Sequence, residues 1–395
     1  MEPVYQPLLR RRALPYLLAA LVLLLGFSTH GCAVEVGPEP QSVDDVYVPE
    51  PEDVRVSTWV ANLEVPWSLA FLPGGQGDAL VTERPGRVRL IRGGTLQEAP
   101  YAELEVYSAG EAGLMGIALH PDFPGRPYVY LMHTYEGPSG LTNRVVRLRH
   151  RGDHGELDRV ILDGIPGGRF HDGGRIAFGP DGMLYVTAGE TFERQLAQQR
   201  SSLAGKILRV TPEGKIPPDN PIPGSPVYSL GHRNPQGLAW DPRTGALLAS
   251  EHGPSGEMGL QAHDELNVLR KGGNYGWPEV VGAPEETPFI NPITAWPENT
   301  TPPAGMTFHK GDLFVATLGS EALLHLRLRR DGDYRIERIE RWFRAEDGAS
   351  RFGRLRAAVE GPDGALYVLT SNRDGRGRPR QSDDRILRMD IPGRP

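Results

Sequence analysis

The stretch GRIAFGPDGMLYVTAGE, residues 174–190, decides the fold. An apolar strand runs into a Gly-Pro-Asp-Gly turn, whose residues supply preset or positive φ, and a second apolar strand returns from it. The phrase recurs. It reads WSLAFLPGGQGDALVTER at 67–84, GIALHPDFPGRPYVYLMH at 116–133, QGLAWDPRTGALLASEH at 236–252, AGMTFHKGDLFVATLG at 304–319 and AAVEGPDGALYVLTSN at 357–372. Each copy is followed by a shorter run of branched and basic residues: RVRLIR (87–92), RVVRLRH (144–150), GKILRVT (205–211), ELNVLRKG (265–272), LLHLRLRR (323–330) and RILRMDI (385–391). Six such units, roughly 50–70 residues apart, predict sheets arranged radially: an all-β, six-bladed β-propeller of four-stranded blades. VRVSTWV (54–60) precedes the first copy and is placed to complete the last blade, which would close the ring and hide both sheet edges. The predicted domain is therefore 54–393.

Bulk composition agrees with this reading. Among 395 residues, Gly (49) and Pro (37) exceed a fifth of the chain, which suits short strands joined by many turns. The net charge is −7 with acids and bases interspersed, and no basic stripe invites nucleic acid. At the N-terminus, Arg10, Arg11 and Arg12 precede an apolar run from Ala13 to Phe27 that is short for a membrane span. Residues 1–31 read as an export signal of the lipoprotein type, with Cys32, the single cysteine, as the lipidated first residue of the mature chain. Residues 32–53, rich in Pro and acids, read as a flexible tether. The expected location is the bacterial cell envelope or periplasm, with membrane contact only through the lipid anchor.

In a propeller the strands fill the blades, and loops dense in polar residues that the blades do not need are the candidates for chemistry. Arg169-Phe170-His171-Asp172-Gly173-Gly174-Arg175 enters the third hairpin, and Glu190 ends that hairpin's second strand. The two ends of one hairpin can bring His171 and Glu190 together, and a carboxylate behind an imidazole fixes its tautomer and raises its basicity. GHRNPQG (231–237) offers Arg233 and Asn234, either as a turn that pins two blades or as a clamp for an anionic planar ligand. EHGPSGE (251–257) and HDELN (263–267) carry carboxylates and a Gly-Pro turn whose carbonyls suit a hard cation such as calcium, without any EF-hand spacing. Arg354 and Arg356, at i and i+2, share one face of a strand.

Long phrases of the chain resemble a known family. GLMGIALHPDF (113–123), GKILRVTPEGKIPPDNP (205–221), YSLGHRNPQGLAW (228–240) and LNVLRKGGNYGWPEVVG (266–282) are similar to the soluble, pyrroloquinoline-quinone (PQQ)-dependent glucose/aldose sugar dehydrogenases, with the likeness running from about Val65 to Ile391. The resemblance implies a six-bladed propeller that oxidises a sugar hemiacetal to a lactone by hydride transfer to the quinone, passing electrons on to an acceptor that the sequence does not identify. It implies His171 as the base with Glu190 as its partner. It implies Arg233 and Asn234 against the quinone, Arg354 and Arg356 toward the cofactor's carboxylates, and Trp296 covering the site. Calcium would lie on the carbonyls of Gly253 and Pro254, with Asp264 and Glu265 as neighbouring carboxylates.

Three departures from the family pattern stand out. Glu111 replaces a cofactor-contacting Gln, Glu190 replaces an Asp, and Gly319 stands where a cofactor-binding Lys is expected. Losing a cation and gaining an acid weakens the attraction for a tri-anionic quinone, each close pair being worth on the order of 1 kcal/mol. Two other classes of function therefore stay open at this stage: a cofactor-less, envelope-anchored propeller that binds a sugar or a partner, and a calcium-dependent lactonase.

Overall fold

Alternating apolar and polar residues, interrupted every few positions by turn formers, leave each strand one or two faces to bury and no helix to build. The computed structural model describes residues 35–37, 43, 45–74, 77–284, 287–297 and 299–393. The expected signal segment, Cys32 and part of the tether lie outside the described residues. Among the described residues the only helical turns are two short 3-10 segments, Arg194–Ala197 and Glu257–Gly259.

Six antiparallel sheets surround one axis. Blade one is formed by Pro66–Phe71, Ala79–Glu83, Arg87–Arg92 and Thr95–Glu103. Blade two is formed by Leu114–Leu119, Tyr128–Gly137, Gly140–His150 and Gly155–Pro166, and blade three by Ile176–Phe178, Leu184–Ala188, Lys206–Val210 and Val227–Leu230. Blade four comprises Pro235–Trp240, Leu247–Glu251, Asp264–Leu269 and Thr294–Trp296. Blade five comprises Pro303–His309, Asp312–Thr317, Leu323–Arg329 and Arg335–Trp342, and blade six Leu355–Glu360, Leu366–Thr370, Ile386–Asp390 and Arg55–Val60. That last strand closes the ring: Val60 pairs with Ile386 and Arg55 with Asp390. Six apolar clusters fill the six seams between neighbouring blades, so each sheet is buried on both faces and its strands read as nearly continuous apolar runs.

The innermost strands of five blades carry an irregularity of register near their first residues, at Pro66/Ser68, Leu114/Ile117, Pro235/Gly237, Pro303/Met306 and Leu355/Ala357. Bulges at this level turn side chains toward the axis. There Arg175 donates from Nε to the Gln236 carbonyl at 3.0 Å and from Nη1 to Ser68 Oγ at 2.9 Å, while Arg356 Nη1 donates to Gln236 Oε1 at 2.7 Å. Both guanidinium groups lie over Trp67, 4.2 and 5.5 Å from its ring centroid. Gly305 makes the room: a Cβ there would sit 2.6 Å from Arg175 Nη2.

The tether expectation for 32–53 needs correction. Asp45–Val48 adds a fifth, parallel strand to blade five, pairing Asp45 with Ile339 and Val48 with Trp342, and Glu35–Val36 pairs with Val280–Val281. The composition is acidic, but Asp-Val-Tyr-Val alternates as an edge strand does. Its acid also has buried partners: Asp45 Oδ2 accepts from Arg341 Nε at 2.5 Å and from Trp296 Nε1 at 3.2 Å. Asp45→Ala would leave a buried guanidinium without its carboxylate. We expect a loss of about 2–3 kcal/mol, read as a lower urea midpoint at unchanged slope.

Candidate active site

The loops entering and leaving the blades on one face of the ring enclose a cleft of about 310 Å³, lined by Glu111, Phe170, His171, Phe192, Arg233, His252, Pro254, Ser255, Asp264, Thr300, Pro302, Leu318, Arg354 and Arg376. The volume is that of a small-molecule site.

His171 and Glu190 meet as the ends of one hairpin. Glu190 Oε1 lies 2.5 Å from His171 Nδ1, and both side chains are buried. Nδ1 is thereby committed, which leaves Nε2 as the free ring nitrogen of a residue that lines the cleft. The approach depends on Gly189, where a Cβ would sit 2.0 Å from the His171 carbonyl oxygen. His171 (φ 61°), Thr191 (φ 52°) and Phe192 (φ 64°) all occupy the left-handed region, a cost of roughly 1–3 kcal/mol each. That strain holds the Phe192 ring 4.1 Å from the His171 ring while leaving Phe192 56% exposed at the rim. The loop after Glu190 is fixed from within, because the buried Lys206 ammonium donates to the carbonyls of Leu196, Ala197 and Ala204 at 2.7, 2.9 and 2.6 Å.

Cations converge on the same cleft. Arg233 donates from Nη1 to the His252 carbonyl at 3.1 Å, pairs through Nη2 with Glu257, and lies over Trp277. Arg354 donates from Nε and Nη2 to Asp374 Oδ2 at 2.9 and 2.8 Å. Arg356 sits deeper, on the axis beside Arg175, and among the described residues neither of these two has a carboxylate at ion-pair distance. Burial, and for Arg175 the neighbouring Arg356, push both guanidinium groups below their ordinary value. Arg233 Nε, Arg356 Nε, Arg175 Nη2 and His252 Nε2 are all buried without a hydrogen-bond partner. A cleft with this surplus of positive charge and unsatisfied donors suits an anionic, planar ligand.

Glu111 is the anion among them. Its Oε2 accepts the His171 N–H at 3.2 Å and Asn234 Nδ2 at 3.3 Å, and its Oε1 accepts from Arg376 Nη1 at 3.2 Å. Burial would push this carboxyl up, but His252, His171 and Arg376 outweigh it and hold the group at about 2. Asn234 does not line the cleft. It is fully buried and braces Glu111 from behind while its Oδ1 accepts the Gly173 N–H at 3.1 Å.

The expected metal residues separate. Asp264 accepts the Gly253 N–H at 3.0 Å and the Thr301 N–H at 2.7 Å, so it organises the Gly253–Pro254 turn. Glu265, next along the strand, faces the other way, accepts from Asn267 Nδ2 at 3.2 Å, and lies against Glu251 across the strand pair. Burial, then Glu251, push its carboxyl up to about 8. It therefore does not serve the cleft. Among the described residues no three His, Cys, Asp or Glu side chains form a metal cluster, so a cation here would rest on the carbonyls of 253–254 and on the ligand.

Trp296 does not cover the site. Its strand pairs with Asp264, and the ring points into the seam of blades four and five, where Nε1 meets Asp45. Phe170 and Phe192 supply the aromatic wall instead. His252, Arg376 and Asp374 belong to the site or support it without any signal in the sequence that singles them out. Burial, then Arg233 and Arg356, push His252 down to about 3 against the pull of Glu111. A larger hollow of about 640 Å³ lies on the blade-five sheet beside the ends of blade six. Its His325 is already held between Asp312 at 2.8 Å and Glu340 at 3.0 Å, and the hollow shares no lining residue with the cleft.

Residues 63–387 match the family model described as Glucose / Sorbosone dehydrogenase. The chain belongs to this family. As a glucose/sorbosone dehydrogenase family member it is an enzyme of the sugar dehydrogenase type, and its relatives agree. It is 32% identical over 360 residues to an aldose sugar dehydrogenase of Escherichia coli, covering 82% of this chain and 92% of that one. Over 264 residues it is 34% identical to quinoprotein glucose dehydrogenase B of Acinetobacter calcoaceticus, covering 58% and 53%. Its fold matches the PQQ-bound aldose sugar dehydrogenase of Streptomyces coelicolor with a TM-score of 0.74 at 39% identity, over 86% of this chain and 99% of that one.

Asp172, next to His171, gives a pH test. It is buried, accepts Gly168 N–H and Asn143 Nδ2 at Oδ1 (both 2.9 Å), and leaves Oδ2 unpartnered. Burial, with Glu111 nearby, raises its carboxyl to about 7. The folded state therefore favours the protonated form, so its contribution is full below about pH 4 and is lost as pH rises through 7. Asp172→Asn keeps the acceptor without the charge. Its thermal stability should match wild type near pH 4 and exceed it by on the order of 2–4 kcal/mol at pH 8. A difference that does not change with pH would refute this.

Proposed function

We propose that this enzyme oxidises the hemiacetal CH–OH of aldose sugars to lactones with PQQ as cofactor. The observation that carries the reading is the 2.5 Å His171–Glu190 pair, set in a cleft where, among the described residues, Arg233 Nε and His252 Nε2 are buried without a hydrogen-bond partner. When bound, PQQ supplies the acceptor for the hydride that leaves the anomeric carbon. His171 Nε2 takes the proton of the anomeric hydroxyl, and Glu190 holds Nδ1–H and stabilises the imidazolium. Arg233 and Arg354 line the pocket and Arg356 lies beneath it, all donors to carboxylate or carbonyl oxygens. A calcium ion on the carbonyls of Gly253 and Pro254, in the turn held by Asp264, belongs to the same reading because calcium prefers such oxygens.

Export and lipid anchoring at Cys32 complete the proposal, with a separate electron acceptor in the envelope. Palmitate labelling of cells expressing the chain should be lost in Cys32→Ser.

Apoprotein titrated with PQQ in the presence of Ca²⁺ should develop a saturable absorbance change and dye-linked aldose oxidation, both reduced by a chelator. His171→Ala should cut kcat by about 10²–10⁴ while leaving the titration nearly unchanged. Wild-type protein that neither binds the quinone nor oxidises any aldose would overturn the reading.

A further inference from the structure

The blade-five wall of the cleft is formed by Thr300, Pro302 and Leu318 and offers no positive charge. Gly319 follows Leu318, and a Cβ built there would lie 3.0 Å from Pro302 Cγ and 3.7 Å from Thr300 Cγ2, against two residues of that wall. A side chain at 319 would thus start along the cleft, and the glycine leaves that position empty of a cation. A loop of blade six carries one. Arg376 reaches the cleft from the loop after the second strand of blade six, with its guanidinium 5.2 Å from the Phe170 ring centroid and 3.2 Å from Glu111 Oε1.

This arginine is held firmly at its base and by a single ion-pair contact at its tip. Asp374 Oδ1 accepts the backbone N–H groups of Arg376 and Gly377 at 2.9 and 3.2 Å, while Oδ2 accepts the Arg354 guanidinium. One carboxylate therefore sets the registry of two cleft arginines. The Arg376 side chain is 54% exposed, whereas the Glu111 side chain is 15% exposed and fixed through its other oxygen by His171 and Asn234. A single-contact pair with its arginine half exposed to solvent contributes little. A planar ligand carboxylate can give Arg two parallel bonds and outbid it.

We propose that Arg376 is a ligand-binding residue of the cleft, supplying from blade six the cation that blade five lacks at Gly319, and that Glu111 parks it over the entrance until an anionic cofactor displaces the pair. The proposal rests on the PQQ reading above, and it makes the cleft selective for polycarboxylates over neutral planar molecules. Glu111 then acts as a competitor for Arg376 and a repulsive neighbour for the ligand.

The test is an optical titration of the full apoprotein with PQQ at low and high salt, comparing wild type, Arg376→Ala, Gly319→Lys, the double variant and Glu111→Gln. Arg376→Ala should raise Kd about tenfold or more at low salt and flatten the salt dependence, with an unchanged melting temperature as the control for folding. Gly319→Lys in the Arg376→Ala background should restore most of the affinity, and Glu111→Gln alone should tighten binding several-fold. If wild type binds and Arg376→Ala binds within twofold of it, the assignment of Arg376 falls while the PQQ reading stands. Failure of Gly319→Lys to restore the Arg376→Ala variant would likewise refute the relocation of charge. If wild type does not bind the quinone at all, the cofactor reading falls and the proposal with it.

Discussion

Two guanidinium groups, Arg175 and Arg356, share the propeller axis with no carboxylate at ion-pair distance among the described residues, and the rest of the structure is arranged around that charge. A buried cation is expensive unless it is hydrogen-bonded, and here Gln236, Ser68 and the face of Trp67 hold the pair while some of its donors stay unsatisfied. The room for it comes from small residues on the innermost strands, above all Gly305. A positive floor beneath an open cleft is a standing attraction for an anion, because low surrounding polarity strengthens each interaction. The rim then adjusts that field: Asp374 and Glu257 tie up part of Arg354 and Arg233, and Glu111 subtracts one charge beside the dyad.

The chain shows clearly where such an architecture can and cannot be read from residues. The hairpins were legible because two strands and a Gly/Pro/Asp turn lie within eighteen residues, and the inner strands are apolar on both faces. The outer strands were not, apart from 55–60. Thr294–Trp296 in blade four is three residues long and follows a long irregular loop, so no periodicity announces it. Asp45–Val48 was hidden by its acidic, Pro-rich surroundings, since what fixes it is a distant arginine and a tryptophan indole. Local propensity lost to tertiary partners there.

The candidate site divides along the same line. His171 and Glu190 could be paired from sequence because both are ends of one hairpin. Asp264 and Glu265 illustrate the limit: neighbours in a strand point to opposite faces, so the two carboxylates cannot serve one ion. Trp296 was assigned by likeness to relatives, and the strand pairing turns it into a seam. Phe192 carried no readable signal, since an aromatic between Thr and Glu is unremarkable until two successive left-handed residues lift it to the rim. Arg376 sits in a Gly- and Arg-rich turn that reads as solvent-exposed loop, and only the folding of blade six brings it to the cleft.

The strand Arg55–Val60 lies at the start of the described propeller and pairs with Ile386–Asp390 near its end. During synthesis its backbone donors and acceptors must wait until nearly the whole chain has been made. Until then blade six lacks its outer strand and the ring has two raw edges. Contacts of such long sequence separation slow folding, and unpaired edges invite association with other chains. The cleft, assembled from loops of all six blades, therefore takes shape as one of the last events in the life of the nascent protein, when the first strand meets the last.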